Sequence, residues 1–416
     1  KGLFIVSIDD HSRKHYSNIV VNNSIDKINL NKKKTSQIWL TGSKYILVKN
    51  IIKRKRNLSY KHKKLQLLLH AGGSSSYKYI KDFTVASLEA INRYNLDASI
   101  LCTSKDSKDF IKKVLRKYAD IKKIKILPFI KNLSKKLKNY DIVAGPSGTT
   151  TFETILSGAI PFSVPIKNDG RDSVNSWNSL GHLTHLNSKE KKNKVILKDM
   201  WTLIISNYKK LLDLLIQNSK ELDGLGPKRL AEKIIFYYKN NKRKQVYKNE
   251  EKDNNLVVSK KCQILDIRNF LNARNQRLVR LMSTSSRIIT WPEHISWWMS
   301  SDIKKYKIEK RGCTVGYHWT KINNDNNGKF VTSAWFLSKD NPEKLKLAYE
   351  VLKIQSKLVK KIYKKSTWII SMKHDNKFVQ RLNSKFGFQL ASHRSISRIL
   401  KNPQKKMNMR VMEMKI

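Results

Sequence analysis

Apolar positions along the chain fall into short runs closed by polar turns, and the style of these runs changes along its length. Leu3-Phe4-Ile5-Val6-Ser7-Ile8 is a run rich in β-branched residues ended by Asp9-Asp10-His11, the pattern of a buried strand with a loop at its carboxyl end. Ile19-Val20-Val21-Asn22 is a second such run. Trp39 to Tyr45 reads as a loop with a turn glycine at Gly42, and the Lys- and Arg-crowded stretch 52–64 as a linker. From residue 65 the spacing predicts strands at 65–69, 98–102, 124–127, 141–144 and 161–164, with helices at 79–94, 109–118 and 149–156. Strand and helix alternating at this interval predict α/β architecture: a Rossmann-like, doubly wound parallel sheet with ligands at the carboxyl ends of its strands. Helices at 203–217 and 227–238 follow, then a polar, aperiodic stretch at 239–261 that reads as a linker. Beyond it tryptophans cluster (Trp291, Trp297, Trp298, Trp319, Trp335), a long helix spans 343–363 and a strand spans 367–371, which predicts a separate α+β domain.

Composition narrows the function classes. The 416 residues are 40% hydrophobic and 9% aromatic, too rich in large apolar groups for a disordered chain. The formal net charge is +53, from 85 Lys and Arg against 32 Asp and Glu. Such a field attracts polyanions, so nucleic acid and anionic surfaces come into view. Yet the basic residues are mostly Lys and run along the whole chain, which favours a solvated surface over a dedicated nucleic-acid face; phosphorylated small substrates gain from the same field. Cys102, Cys262 and Cys313 are odd in number and far apart, which argues against a disulfide framework or a zinc site and suits a reducing cytoplasm. No apolar run approaches the ~18 residues of a membrane-spanning helix.

The densest chemical signal is Gly145-Pro146-Ser147-Gly148-Thr149-Thr150-Thr151-Phe152-Glu153: a strand end, a glycine turn and hydroxyl residues opening a helix. Backbone N–H groups at a helix start favour a phosphate, and Gly148 lets the backbone approach it closely. Read blandly, the same residues are a simple helix cap. His70-Ala71-Gly72-Gly73 ends another strand and reaches the same crevice, while Glu153, one turn in, suits two ribose hydroxyls.

With Leu127 to Leu133, Asp141 to Thr150 and Gly158-Ala159-Ile160-Pro161, these motifs resemble the nucleotide-binding half of the two-Rossmann glycosyltransferase fold. The likeness is to the lipid-II-forming N-acetylglucosaminyltransferase and, more closely, to the hydrolases that remove UDP from 2,4-diacetamido-2,4,6-trideoxy-altrose. Ser7 to Arg13, Gly42 to Leu47 and Leu222 to Leu230 share the likeness. It implies a UDP site: Gly72 and Gly73 beside it, the backbone of Ile130 at the uracil edge, Ser147, Gly148 and Thr149 on the diphosphate, and Glu153 on the ribose. Asn168 would face the sugar, with Asp169 where the family has Gln. Residues 1–60 then correspond to a remnant of the amino-terminal half and 61–238 to the UDP-binding half, and the family's catalytic His is expected upstream of residue 1.

The carboxyl-terminal region carries a second likeness. Arg274-Asn275, Arg280 and Met282, Glu293-His294 with Trp297, Val315-Gly316-Tyr317, and Asn376 with Phe386-Gly387-Phe388 resemble the GNAT acetyltransferases, especially those acting on UDP-linked 4-amino sugars. The resemblance covers 262–400, leaving 401–416 as a basic tail. It implies acetyl-CoA as co-substrate, bound with the help of Lys344, Lys346 and Asn376, and an amino sugar met by Arg274, Asn275 and His294. The usual glycine-rich pyrophosphate loop is replaced by Ser338 to Lys346, and the family's Tyr general acid by Asn383. Together the two likenesses point to UDP-deoxyaminosugar processing on a route to pseudaminic-type acids, without a metal and without specific nucleic-acid binding. Sugar transfer and non-catalytic polyanion binding stand as the alternatives.

Overall fold

The computed structural model describes residues 3–9, 15–22, 25, 37–48, 64–72, 77–118, 124–166, 174–240, 257–326, 328–338, 344–400 and 408–416. His11, Gly73, Asn168 and Asp169 therefore lie outside the described residues. The chain divides into two compact units, Lys1–Tyr247 and Lys248–Ile416.

In the first unit, β1 (Val6–Ile8), β2 (Ile19–Val21) and β3 (Ile38–Leu40) form a three-stranded parallel sheet. Trp39, expected in a loop, is instead in β3, because Ile38 to Leu40 pair in register with the fully buried β2. A five-stranded parallel sheet follows: β4 (Gln66–His70), β5 (Asp97–Leu101), β6 (Ile124–Leu127), β7 (Ile142–Pro146) and β8 (Ile160–Val164), in the order β6-β5-β4-β7-β8. Between them run α1 (Lys81–Arg93), α2 (Lys105–Tyr118), α3 (Leu133–Lys136) and α4 (Thr149–Ser157). β4, β7 and β8 are almost wholly buried, as near-continuous apolar strands covered on both faces must be.

The strand order reverses at β4. β5 and β6 extend the sheet one way, β7 and β8 the other, which makes the carboxyl ends of β4 and β7 the topological switch point. Beyond β8 come α5 (Val174–Ser179), α6 (Lys194–Ser206), α7 (Tyr208–Asn218) and α8 (Gly226–Lys239). The single helix expected over 203–217 is two, broken at Asn207, whose φ of −123° and ψ of 23° leave the helical region.

Two of the motifs meet here. Arg229 of α8 donates to the Lys44 carbonyl (3.1 Å) and makes a bidentate pair with Asp223. A Cβ on Gly226 would stand 2.2 Å from the Ile46 carbonyl oxygen, so only glycine lets α8 seat on the 42–47 turn.

The second unit is one mixed sheet. Its strands are β9 (Val257–Lys261), β10 (Ile303–Lys310), β11 (Cys313–Asp325), β12 (Gly328–Leu337), β13 (Thr367–Lys373), β14 (Gln389–Leu390) and β15 (Met409–Lys415), in the order β14-β15-β13-β12-β11-β10-β9. Its helices are α9 (Ile267–Arg274), α10 (Arg277–Leu281), α11 (Trp291–Trp298), α12 (Lys344–Ile362), α13 (Lys377–Lys385) and α14 (His393–Ile399). Two expected boundaries move. The end of the 239–261 linker is the edge strand β9, and the 401–416 tail contains β15. Both are sheet because Val411, Met412 and Met414 bury their side chains in the core, and because β9 pairs with β10.

Every pairing in this sheet is antiparallel except one. β12 and β13 are parallel and pair only from Phe330↔Thr367 to Thr332↔Ile369. Past that point Ser333–Leu337 and Ile370–Lys373 are not paired with each other. The fork is held by the Trp368 indole, fully buried, which donates to Ser333 Oγ at 2.9 Å. The long helix α12 connects β12 to β13.

Candidate functional site

The first unit presents its glycine turns at the switch point. β7 ends at Pro146 and α4 begins at Thr149, leaving Ser147 and Gly148 as the turn. The Ser147 N–H donates to the Val164 carbonyl (2.9 Å) and the Gly148 N–H to Thr151 Oγ1 (3.2 Å). Two of the amides expected to hold a diphosphate are thus already committed. The amides of Thr149 and Thr150 open the helix, where no intrahelical carbonyl can reach them. They are the donors this turn offers an anion. A Cβ on Gly148 would meet nothing within 4 Å, so the space before the turn is open. Glu153 lies half-buried one turn further along.

Facing this turn, His70 is packed against Gly145, where a Cβ would stand 2.5 Å from both His70 Nε2 and the His70 carbonyl oxygen. The His70 Nδ1 accepts from the Gly72 N–H at 3.2 Å, and burial lowers its pKa to about 4. A neutral, buried His70 shapes the wall of the crevice. Tyr77 ties the same edge by donating to the Leu69 and Leu101 carbonyls at 3.1 and 2.8 Å. Ile130 is half-buried and packs on the Leu68, Leu101 and Val143 cluster, while Phe129 beside it is 71% exposed.

Two histidine clusters were not legible as such. His15 has a structural partner: its Nε2 lies 2.7 Å from the buried Asp9 carboxylate at the carboxyl end of β1. Ser163 Oγ sits 2.7 Å from His182 Nε2 and 2.8 Å from His185 Nδ1. These are the residue types of a nucleophilic pair, but all three are at most 2% exposed, and substrate cannot reach them. The cluster fastens β8 to the 182–185 turn.

The second unit holds a cleft of about 910 Å³ at the β12/β13 fork. Its walls are Thr332–Leu337, Trp368–Met372, Trp319, and the first turns of α12, from Lys344 to Leu352; α10 and α13 flank it with Met282, Phe378 and Asn383. Two of the residues lining it carry a buried polar atom with no hydrogen-bond partner among the described residues: Asn383 Oδ1 and Arg274 Nη1. Asn383 is 2% exposed, and its amide makes only a 3.8 Å contact to Met372 Sδ. Burial, aided by neighbouring Arg280, lowers the Arg274 pKa from its usual value. Asn376 caps α13 by accepting from the Val379 N–H (3.3 Å) and also lines the cleft.

Three expected contacts fall elsewhere. Asn275 spends both ends of its amide on Ile289, donating to its carbonyl (2.9 Å) and accepting from its N–H (3.0 Å), so it pins a loop. His294 is 2% exposed, bonded to the Ile267 carbonyl (2.9 Å) and stacked on Phe270 and Trp297; burial lowers its pKa to about 3. Neither lines the cleft. Lys344 lines it, whereas Lys346 is exposed outside it.

No protein-family profile matches the chain. An uncharacterized protein of Methanocaldococcus jannaschii is 23% identical over 312 residues, which cover 73% of this chain and 58% of that protein. The chain thus spans a little over half the length of that relative. Similar solved structures include a domain from Methanocaldococcus jannaschii, at 14% identity and a TM-score of 0.32 over 39% of this chain and 99% of that one. An aminoglycoside acetyltransferase in complex with coenzyme A is similar at 11% identity and a TM-score of 0.32, over 38% of this chain and 95% of that one. An N-acetyltransferase from Staphylococcus aureus Mu50 is similar at 13% and 0.30, over 38% and 98%. Here the fold is assigned by strand order and register. Among the described residues no helix is long and apolar enough to cross a membrane, and no three His, Cys, Asp or Glu side chains gather as a metal would require.

Proposed function

We propose that the chain processes a UDP-linked deoxyaminosugar, with an acetyl-CoA-dependent N-acetyltransferase cleft in the second unit and UDP-sugar hydrolysis assigned to the first. One observation carries the acetyl-transfer half: the fork at Thr332 and Ile369 leaves unpaired strand on both sides of a 910 Å³ cleft. Unpaired backbone there suits a ligand that completes the strand with its own amides. Acetyl-CoA has such amides in its pantetheine arm, and the unpaired Asn383 Oδ1 can accept from an N–H at the inner end.

The chemistry then follows from the residues present. An amine held in the cleft attacks the thioester carbon; the new N–C bond forms as the C–S bond breaks, the amine's proton passes to water, and the thiolate takes its proton from water, because the Asn383 amide cannot supply one. Transfer is slow for that reason. In the first unit, Thr149 and Thr150 present amides to a diphosphate and Glu153 receives the ribose hydroxyls. UDP departs as water attacks the anomeric carbon.

The test is direct. Thiol release from acetyl-CoA is followed with a UDP-4-amino sugar, and UDP release with the diacetamido product. Turnover of either reaction at its own unit supports the reading. If UDP and CMP bind equally and no thiol is released, the reading is wrong in both halves.

A further inference from the structure

The short helix α10 carries its apolar stripe on the outside. Leu278, Leu281 and Met282 stand at i, i+3 and i+4, the spacing that a surface helix turns to the core. Here they are 59%, 41% and 51% exposed, and Val279 instead packs on the Phe270 and Tyr317 cluster. Ile288, further along the same loop, is 62% exposed. The loop is tied across its base. Arg280 donates to the Asn275 and Ser286 carbonyls at 3.0 and 2.6 Å, and Asn275 holds Ile289 by both its N–H and its carbonyl. What it presents between those ties is Leu281, Met282, a run of Ser and Thr, and Ile288.

Charge says what such a face meets. From Ile267 to Pro292 the chain has five arginines and no Lys, Asp or Glu, whereas its basic residues elsewhere are mostly Lys. Glu293 takes up the charge of Arg287 through two hydrogen bonds, of 2.8 and 2.5 Å. Arg280 gives its hydrogen bonds to carbonyls, which do not cancel its charge, and Arg277 is exposed beside Leu278. A second copy is a poor occupant, because an isologous contact sets these arginines against themselves. Nucleic acid would meet the arginines through its phosphates and leave the leucines, Met282 and Ile288 without a partner. A bilayer with anionic headgroups satisfies both: apolar side chains enter the acyl boundary while guanidinium groups stay at the phosphates. We infer that the α10 loop docks the chain on an anionic lipid surface. Leu278 and Met282 also line the cleft, so docking sets the mouth of the cleft against the headgroups. This goes beyond the acetyl-transfer reading and does not depend on it.

Co-sedimentation of the full chain with phosphatidylcholine–phosphatidylglycerol vesicles tests this. A chain of net charge +53 meets such vesicles through its lysines alone, so the apolar side chains are the ones that discriminate. Leu278→Ser combined with Met282→Ser should weaken binding by roughly tenfold or more, and the difference should persist as salt rises. Removing two charges from α2, by Lys112→Gln with Lys113→Gln, should weaken it less. Ile288→Trp should tighten binding, since indole favours the membrane interface. On the vesicle-bound chain, hydrogen exchange should be slowed at 277–288. Equal binding by the Ser variant and the parent means that the lysine field does all the work and overturns the inference. If the Ser variant melts early, Ile288→Trp decides alone, and no tightening overturns it. A lipid-free dimer that the Ser variant abolishes, with vesicle binding unchanged, makes the face a contact between copies and also overturns it. So does protection of 277–288 by duplex DNA and not by vesicles.

Discussion

The two units each present a crevice, and they line it with different materials. At the β7–α4 turn the groups left to a ligand are the backbone amides of Thr149 and Thr150, while the neighbouring amides of Ser147 and Gly148 are bonded inside the fold. The β12/β13 cleft is instead lined by side chains, Arg274 and Arg277 among them. An amide turn is fixed by the fold and survives most substitutions. A lining of side chains can be changed one residue at a time. The walls differ as well: the first site opens to solvent before Gly148, whereas the second holds buried atoms of Asn383 and Arg274 that are unpaired among the described residues.

The largest expected effect that sharpens this contrast is acid sensitivity, because both units bury neutral histidines. His70 has its pKa lowered to about 4 by burial, and His294 and His318 to about 3. In the folded chain they are neutral, while the unfolded chain takes up protons near 6.5. Stability is therefore whole above pH 6.5 and falls as pH drops toward 4 for His70 and toward 3 for the others, by up to ~1.4 kcal/mol per pH unit for each. Melts followed from pH 7 to pH 4 should show this, and His294→Gln should flatten the loss in the second unit alone. A flat profile would mean that these rings are charged or exposed in solution.

Next in size is Asn383→Tyr. Restoring a proton donor beside the thiolate should raise acetyl transfer by ~10²–10⁴-fold in single-turnover thiol release. A parent that already matches the variant would place the proton donor elsewhere in the cleft. Smaller again is Glu153→Ala, expected to weaken UDP by ~1–3 kcal/mol in calorimetry through loss of the ribose contact. The same change should leave coenzyme A untouched, and an effect on both ligands would break the separation of the two sites. Smallest is the general field of the +53 chain. Duplex DNA should bind weakly and without sequence preference, and electrophoretic shifts should vanish as salt rises.

How much of this was legible in the sequence differs between the units for a physical reason. In the first, apolar strands buried on both faces and separated by amphipathic helices leave a clear period, so 65–164 reads nearly element by element. The misses there are short-range. Trp39 sits in a strand of three residues, and the helix break at Asn207 hides inside a continuous apolar run. In the second unit β10, β11 and β12 alternate less cleanly, because charged and aromatic side chains share their faces, and only the long helix and β13 stand out. β15 was invisible because its burial depends on pairing with β13, distant in sequence.

Site residues divide along the same line. Gly148, Thr149 and Glu153 belong to a local motif, at the cap and in the first turns of α4. The place of Arg277 on the cleft does not: it depends on Gln276 reaching the end of β12, a contact between residues 62 positions apart. Asn275 and His294 are expected to face substrate only through the acetyltransferase resemblance. The fold uses their hydrogen bonds to hold Ile289 and Ile267 instead. The Ser163, His182 and His185 cluster shows the converse, chemistry-bearing residues made inert by burial.

The proposed acetyl transfer requires the β12/β13 fork to be a ligand cleft that acetyl-CoA completes. Hydrogen exchange on the full chain, with and without acetyl-CoA, is the decisive measurement. Slowed exchange should be confined to the backbone at 333–337 and 370–373 and to the first turns of α12, with the strands β4 to β8 unchanged. Exchange at the fork unaffected by saturating acetyl-CoA, or protection appearing only in the first unit, would contradict it.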